Sequence, residues 1–260
     1  MPAMEFWLGH SPASRLTDKS SSPLRGKPRG AAVLGAGAWG TAIAIALASA
    51  KIPTRLFARR ARHVQAMQKD RANVERLPGC PFPRSLSVTN SLEDAVAEAE
   101  ALFLVVTSDN VVQITEQVAA LARPGTAFIV CAKGLARDGS FLTDAVREIW
   151  TDGPVLFLSG PSFAHEVAQG KRTIVALAGP IEAARQIASA YSSDRFVMTP
   201  TADLIGVQVA GVFKNVAAIL CGASDGLKAG SNTRAALMSE AIREASSIVV
   251  ALGGEQSTLL

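Results

Sequence analysis

The chain has 260 residues, 48% of them apolar and 5% aromatic, which fits one or two Ala/Val/Leu-rich α/β domains. Its formal charge is +4, but five cations (Arg15, Lys19, Arg25, Lys27, Arg29) against Glu5 and Asp18 place +3 of that in the first 30 residues. Residues 31–260 have no basic stripe with interleaved aromatics, which argues against a nucleic-acid partner.

No uninterrupted apolar run reaches the ~20 residues of a membrane span; the longest are broken by Gln208, Lys214 and Asn215, so no span is expected. Cys80, Cys131 and Cys221 are odd in number and lack metal-ligand spacing. No metal site is expected, and the thiols read as small core residues of a reduced, cytoplasmic protein. Residues 1–30 are rich in Ser, Pro and Arg, without a hydrophobic period or the apolar core of a secretory signal. They are predicted to be a disordered extension.

From Ala31 onward, short β-branched runs alternate with helix-length segments. Strands are predicted at 31–34, 54–58, 87–89, 102–106, 127–130, 155–158, 173–178 and 195–198, with helices between most of them, such as 111–121 and 181–191. Strands separated by helical connections make a mainly parallel sheet covered on both faces. The fold class is therefore α/β, a Rossmann-type sheet domain over 31–200. Near Thr201 the alternation stops, and 201–260 reads as the start of an all-helical domain with one break at Ser224-Asp225-Gly226.

The stretch AAVLGAGAWGTAIAIALASA carries the first chemistry. Gly35, Gly37 and Gly40 follow the first strand and open a helix, in the spacing that lets a backbone turn tightly, approach a pyrophosphate and pack helix on strand. A purely structural strand-to-helix turn is the alternative. After the second strand, where an acidic side chain would bond a ribose 2′-hydroxyl, stand Arg59 and Arg60. Two guanidiniums suit a 2′-phosphate, so NADP(H) is favoured, with NAD(H) as the alternative. A helix start with incidental arginines remains the competing account.

Three further stretches point to a substrate. Lys133, in CAKGL, lies just past a strand end, where ligands bind in open α/β sheets; taken alone it reads equally well as a surface lysine. Gly160-Pro161-Ser162 forms a turn of small residues at another strand end, leaving N–H groups for an anion. His165 reads as a helix-surface or packed histidine rather than a base. In AGVFKNVAAILCGASDGLKAGSNTRAAL, Lys214 and Asn215 interrupt an apolar helix. Desolvation there would move the lysine toward a proton-transfer role, against the alternative of a snorkelling lysine.

GAGAWGTA, LPG at 77–79, KGL, GPSFAHEVAQG and the KNV…SDGL…N…RAAL block occur in one order, and together they resemble the bacterial NAD(P)-dependent glycerol-3-phosphate dehydrogenases. The resemblance covers 31–260. It implies reversible reduction of dihydroxyacetone phosphate to sn-glycerol 3-phosphate, the backbone of phospholipids, and it suggests a homodimer. Carried over by motif, Lys214 is the proton donor to the carbonyl oxygen and Asn215 orients substrate hydroxyls. Lys133, Gly160 and Ser162 match substrate-contacting positions, Lys133 also lying near the cofactor. Ala38, Trp39, Arg59, Arg60 and Ala164 match cofactor-contacting positions. Asp225 is read as a structural residue in a glycine-bounded turn.

Val212, Ala217, Leu220 and Ala229 are apolar departures from the lysine block, and Thr107 and Arg172 stand where the family usually has proline. Family members continue past GGEQSTLL into a G-x-G-D-L block and a later S-R-N run. With the sequence ending at Leu260, the helical domain is expected to be incomplete, apolar faces of 204–252 to be short of partners, and catalysis to be weak or absent if nothing comes after. A non-catalytic NADP(H)-binding module and a dehydrogenase of another hydroxy acid are the alternatives.

Overall fold

A computed structural model describes residues 30–259; the predicted disordered extension up to residue 29 and the terminal Leu260 lie outside the described residues. The described chain divides between Ala202 and Asp203 into two compact units.

The first unit is built on an eight-stranded sheet, β1 Ala31–Leu34, β2 Thr54–Phe57, β3 Leu86–Thr89, β4 Ala101–Leu104, β5 Ala127–Val130, β6 Val155–Ser159, β7 Thr173–Ala178 and β8 Phe196–Thr201. Its order is β3-β2-β1-β4-β5-β6-β7-β8. Every neighbouring pair is parallel except β6–β7, which is antiparallel. The α/β, mainly parallel expectation holds. Strands β1, β4, β5 and β6 are buried along their whole length, and hence read as continuous apolar runs.

Helices cover the sheet: α1 Ala38–Ser49, α2 Ala61–Asp70, α3 Leu92–Val96, α4 Val111–Ala119, α5 Leu142–Ile149, α6 Ala164–Ala168 and α7 Ile181–Tyr191. Helix α1 is sandwiched, with Gly40 through Ile45, Leu47 and Ala48 buried; small and branched apolar residues on every side suit a helix with no wet face. Tyr191 packs edge-on against Phe103, ring centroids 6.0 Å apart, and donates from its hydroxyl to the Gly30 carbonyl at 3.0 Å. Burial pushes its phenol well above the ordinary range.

Register places the site. Leu34 of β1 pairs with Phe57 and Leu104, Phe57 with Thr89, Leu104 with Val130, and Val130 with Phe157. The loops that leave these strands therefore emerge side by side along one edge. The chain passes from β1 to β2 on one side, then returns from β3 to β4 on the other, so the order reverses at β1/β4. That reversal opens the crevice where ligands of such sheets bind.

The second unit, taken by itself, holds helices α8 Leu204–Gly226 and α9 Ser231–Ala251 and a short 3₁₀ turn, Gln256–Leu259. The break predicted at Ser224-Asp225-Gly226 falls further on. Those residues stay helical, and the chain turns over 227–230, where Lys228 (φ 55°) and Gly230 (φ 90°) take left-handed conformations. Asp225 is thus in a helical turn, not a loop, and its carboxylate meets Arg234 Nη1 at 3.1 Å across the α8–α9 junction.

Helix α8 has 23 residues and a mean hydropathy of 1.8 over its most apolar window, long and apolar enough to cross a membrane by length and composition. The interruptions at Gln208, Lys214 and Asn215 do not lower it below that level. Apolar side chains are exposed in this unit, Ile219 at 72% and Leu227 at 82% among them.

Candidate active site

The loop after β1 is shaped by its glycines. Gly35 has φ 123°, and a Cβ there would lie 2.4 Å from the Val105 carbonyl oxygen of the loop after β4. A Cβ on Gly40 would lie 1.9 Å from the Gly35 oxygen, so this residue lets the helix pack on the turn. Gly37 differs: its φ is −73° and nothing among the described residues lies within 4 Å of its would-be Cβ. No demand of the fold accounts for glycine there, whereas a ligand approaching the backbone would.

Helix α1 begins at this point with no side-chain cap and no acidic residue in its first turn. Its first N–H groups and the positive end of its dipole are left for an anion from outside. The residues fit a dinucleotide pyrophosphate. Ala38 and Trp39 occupy the first turn, both half-buried, and the indole of Trp39 lies edge-on to Phe196 with centroids 6.4 Å apart.

Arg59 and Arg60 follow β2, both exposed. Arg60 Nη2 meets Glu75 Oε1 at 3.2 Å, and Arg76 meets the same oxygen at 2.9 Å. A cavity of about 500 Å³ opens beside Phe57, Arg59, Ser91, Leu92, Gln117 and Leu121, at the ends of β2 and β3. Its place suits an adenosine, with Arg59 at its wall. A second cavity of about 460 Å³, beside Arg172, Asp194 and Val197, contains none of the candidate residues.

Further along the edge, Lys133 follows β5 and is half-buried. The next residue, Gly134, has φ 119° and approaches Ser108. After β6, Gly160 has its own packing reason, since a Cβ would come within 2.9 Å of Val175 Cα in β7. Ser162 donates from its hydroxyl to the Gly160 carbonyl at 3.2 Å. Ala164 starts α6, half-buried, and His165 beside it is exposed on the helix surface.

The sheet edge thus carries Gly35, Gly37, Ala38, Trp39, Gly40, Arg59, Arg60, Lys133, Gly160, Ser162 and Ala164 in one unit. Lys214 (half-buried) and Asn215 (exposed) lie midway along α8 in the other. Among the described residues no group of three or more His, Cys, Asp or Glu side chains is placed to hold a metal ion.

Two buried polar residues went unnoticed in the sequence. Asn73 has no exposed surface and bonds to the glycine loop and α1. Asp203, 7% exposed, caps α8 by accepting from Gly206 N at 2.9 Å, and also accepts from Glu255 N at 3.1 Å and the Thr258 hydroxyl. Neither breaks a periodic pattern; an aspartate before an apolar run was the only available signal, and it marks a cap.

A mainly parallel sheet with a glycine turn at its switch point is the architecture of the Rossmann class of dinucleotide-binding proteins. The family emerges from comparison. Residues 30–185 match the N-terminal model, and residues 203–260 the C-terminal model, of NAD-dependent glycerol-3-phosphate dehydrogenase. The chain belongs to that family.

It is 40% identical over 232 residues to glycerol-3-phosphate dehydrogenase [NAD(P)+] of Halorhodospira halophila, covering 88% of this chain and 69% of that protein. Identity to the Thermus thermophilus protein of the same name is 40% over 229 residues, covering 87% and 70%. The crystal structure of glycerol-3-phosphate dehydrogenase from Coxiella burnetii is similar with a TM-score of 0.84 and 35% identity, covering 90% of this chain and 72% of that one.

Proposed function

We propose that this chain reduces dihydroxyacetone phosphate to sn-glycerol 3-phosphate, reversibly, with a nicotinamide dinucleotide, and so feeds glycerophospholipid synthesis. The observation that carries the reading is family membership across both blocks, from the glycine turn to the lysine helix.

When bound, the reduced nicotinamide supplies a hydride to the carbonyl carbon. The chain's own residues supply the rest. The N–H groups at Gly37, Ala38 and Trp39 bind the pyrophosphate. Arg59 and Arg60 neutralise a 2′-phosphate, which favours NADP(H) over NAD(H). Lys133, Gly160 and Ser162 hold the phosphorylated substrate at the sheet edge. Lys214 gives a proton to the carbonyl oxygen and, in the oxidative direction, takes it back, while Asn215 orients the hydroxyls. An ammonium on an apolar, small-residue helix suits that proton transfer.

The exposed apolar side chains Val216, Ile219, Leu220 and Met238 support a homodimer. The cysteines Cys80, Cys131 and Cys221, all buried and free, support a reducing, cytoplasmic setting.

The test is NADPH oxidation by the chain with dihydroxyacetone phosphate, beside a Lys214→Met variant and a titration of NADPH binding. Turnover that disappears in the variant establishes the reading. Binding without turnover in the parent chain overturns it in favour of a cofactor-binding module, and turnover only with another hydroxy acid overturns the substrate.

A further inference from the structure

We infer that Asn73 is a positioning residue for the pyrophosphate turn, holding it in its binding shape from behind. The inference rests on the dinucleotide-binding reading of the glycine loop. Asn73 lies in the segment between α2 and β3, more than thirty residues from the turn, and is wholly buried. Its amide nitrogen donates to the Ala36 carbonyl at 3.0 Å and to Thr41 Oγ1 at 2.8 Å. Its amide oxygen lies 2.9 Å from His63 Nε2, which therefore carries the proton in this pair, and accepts from Arg76 N at 3.3 Å. Both donors and both lone pairs are used. A carboxylate could not make the first pair of bonds.

The partners explain the function. Ala36 stands between Gly35 and Gly37, the flexible part of the turn. A trans peptide sets C=O and N–H on opposite sides. Anchoring the Ala36 carbonyl on Asn73 therefore turns the Gly37 N–H away from it. Thr41 is in the first turn of α1 and donates its own N–H to the Gly37 carbonyl at 2.9 Å. One amide thus clamps the strand side and the helix side of the turn together. Glycines make the turn adaptable but leave it loose; a buried, fully bonded amide restores a single geometry.

The clamp continues outward. His63 Nε2 also lies 3.9 Å from Glu75 Oε2, and the other oxygen of Glu75 holds Arg60. The same chain of polar groups therefore reaches the arginine assigned to the 2′-phosphate.

The experiment compares parent chain, Asn73→Ala and Thr41→Val for NADPH and NADH dissociation constants, with unfolding midpoints measured without ligand. Thr41→Val is near-isosteric and removes one bond of the clamp, so it serves if Asn73→Ala does not fold. Binding of both cofactors is expected to weaken by the same factor, about tenfold or more for Asn73→Ala and severalfold for Thr41→Val, since both carry the pyrophosphate. Folded variants that bind both cofactors as the parent does, with only a lower midpoint, would reduce Asn73 to a structural residue. A loss confined to NADPH would move its role to the arginines. If the parent chain binds neither cofactor, the dinucleotide reading fails first and takes this inference with it.

Discussion

Gly37→Ala separates the two explanations for the glycine turn with one methyl group. The backbone at Gly37, φ −73° and ψ −179°, is one that alanine adopts without strain, and nothing among the described residues lies within 4 Å of the added Cβ. If glycine served only the fold, the variant would be neutral or more stable by about 0.4–1 kcal/mol, through a less flexible unfolded chain. If the open side is where a pyrophosphate meets the backbone, the methyl occupies the ligand's space. An overpacked contact of that kind costs about 1–3 kcal/mol, which is roughly a ten- to hundredfold loss of affinity.

Thermal unfolding without ligand and fluorescence titration with NADPH measure the two effects separately. Gly40→Ala is the control. Its Cβ would sit 1.9 Å from the Gly35 carbonyl oxygen, so both stability and binding should fall. A Gly37→Ala chain that keeps parental NADPH affinity would refute the assignment of this turn to the cofactor, whatever its melting point.

Replacing Arg59 and Arg60 together by serine is expected to weaken NADPH binding about ten- to hundredfold and leave NADH within about threefold; equal losses for both would place the arginines elsewhere. Asp203→Ala removes the cap of α8 and the acceptor for Glu255 N, a loss of about 1–3 kcal/mol from a missing cap and a part-buried donor left without its acceptor. Asp203→Asn keeps an acceptor and should lose less. Urea unfolding followed by helical circular dichroism reads both, and an unchanged midpoint for the alanine variant would contradict the role given to this carboxylate.

Strands β1 and β5 were legible because a strand buried on both faces is an apolar run with few competing interpretations, and 31–34 and 127–130 coincide with the observed bounds; 173–178 coincides too, although Ile174 of β7 is exposed. Boundaries moved where a run continued past the pairing, as at β4, which ends at Leu104 rather than Val106. The reversal of β7 against β6 was not legible, since its connection contains a helical segment like those of the parallel crossovers. Ser-Asp-Gly reads as a breaker, yet the helix runs through it and ends where Lys228 and Gly230 turn left-handed. Asn73 was invisible for a simpler reason. Its partners are 32 and 37 residues away in sequence, and no periodicity records a long-range amide clamp.

Lys214 raises a different question, why an ammonium stands at the middle of a helix apolar enough to pass for a membrane span. Burying part of a charged side chain costs stability unless something is gained, and an apolar residue of similar length would serve packing as well or better. Lys214→Met is such a replacement. It keeps the unbranched stem and the helix propensity and removes only the charge. If the lysine is there for the fold, the variant should melt earlier. If it is there for proton transfer, the melting point should hold or rise, NADPH binding should be unchanged, and turnover should fall about 10²–10⁴-fold, the usual share of a positioned acid. Retention of turnover within tenfold would remove Lys214 from the chemistry.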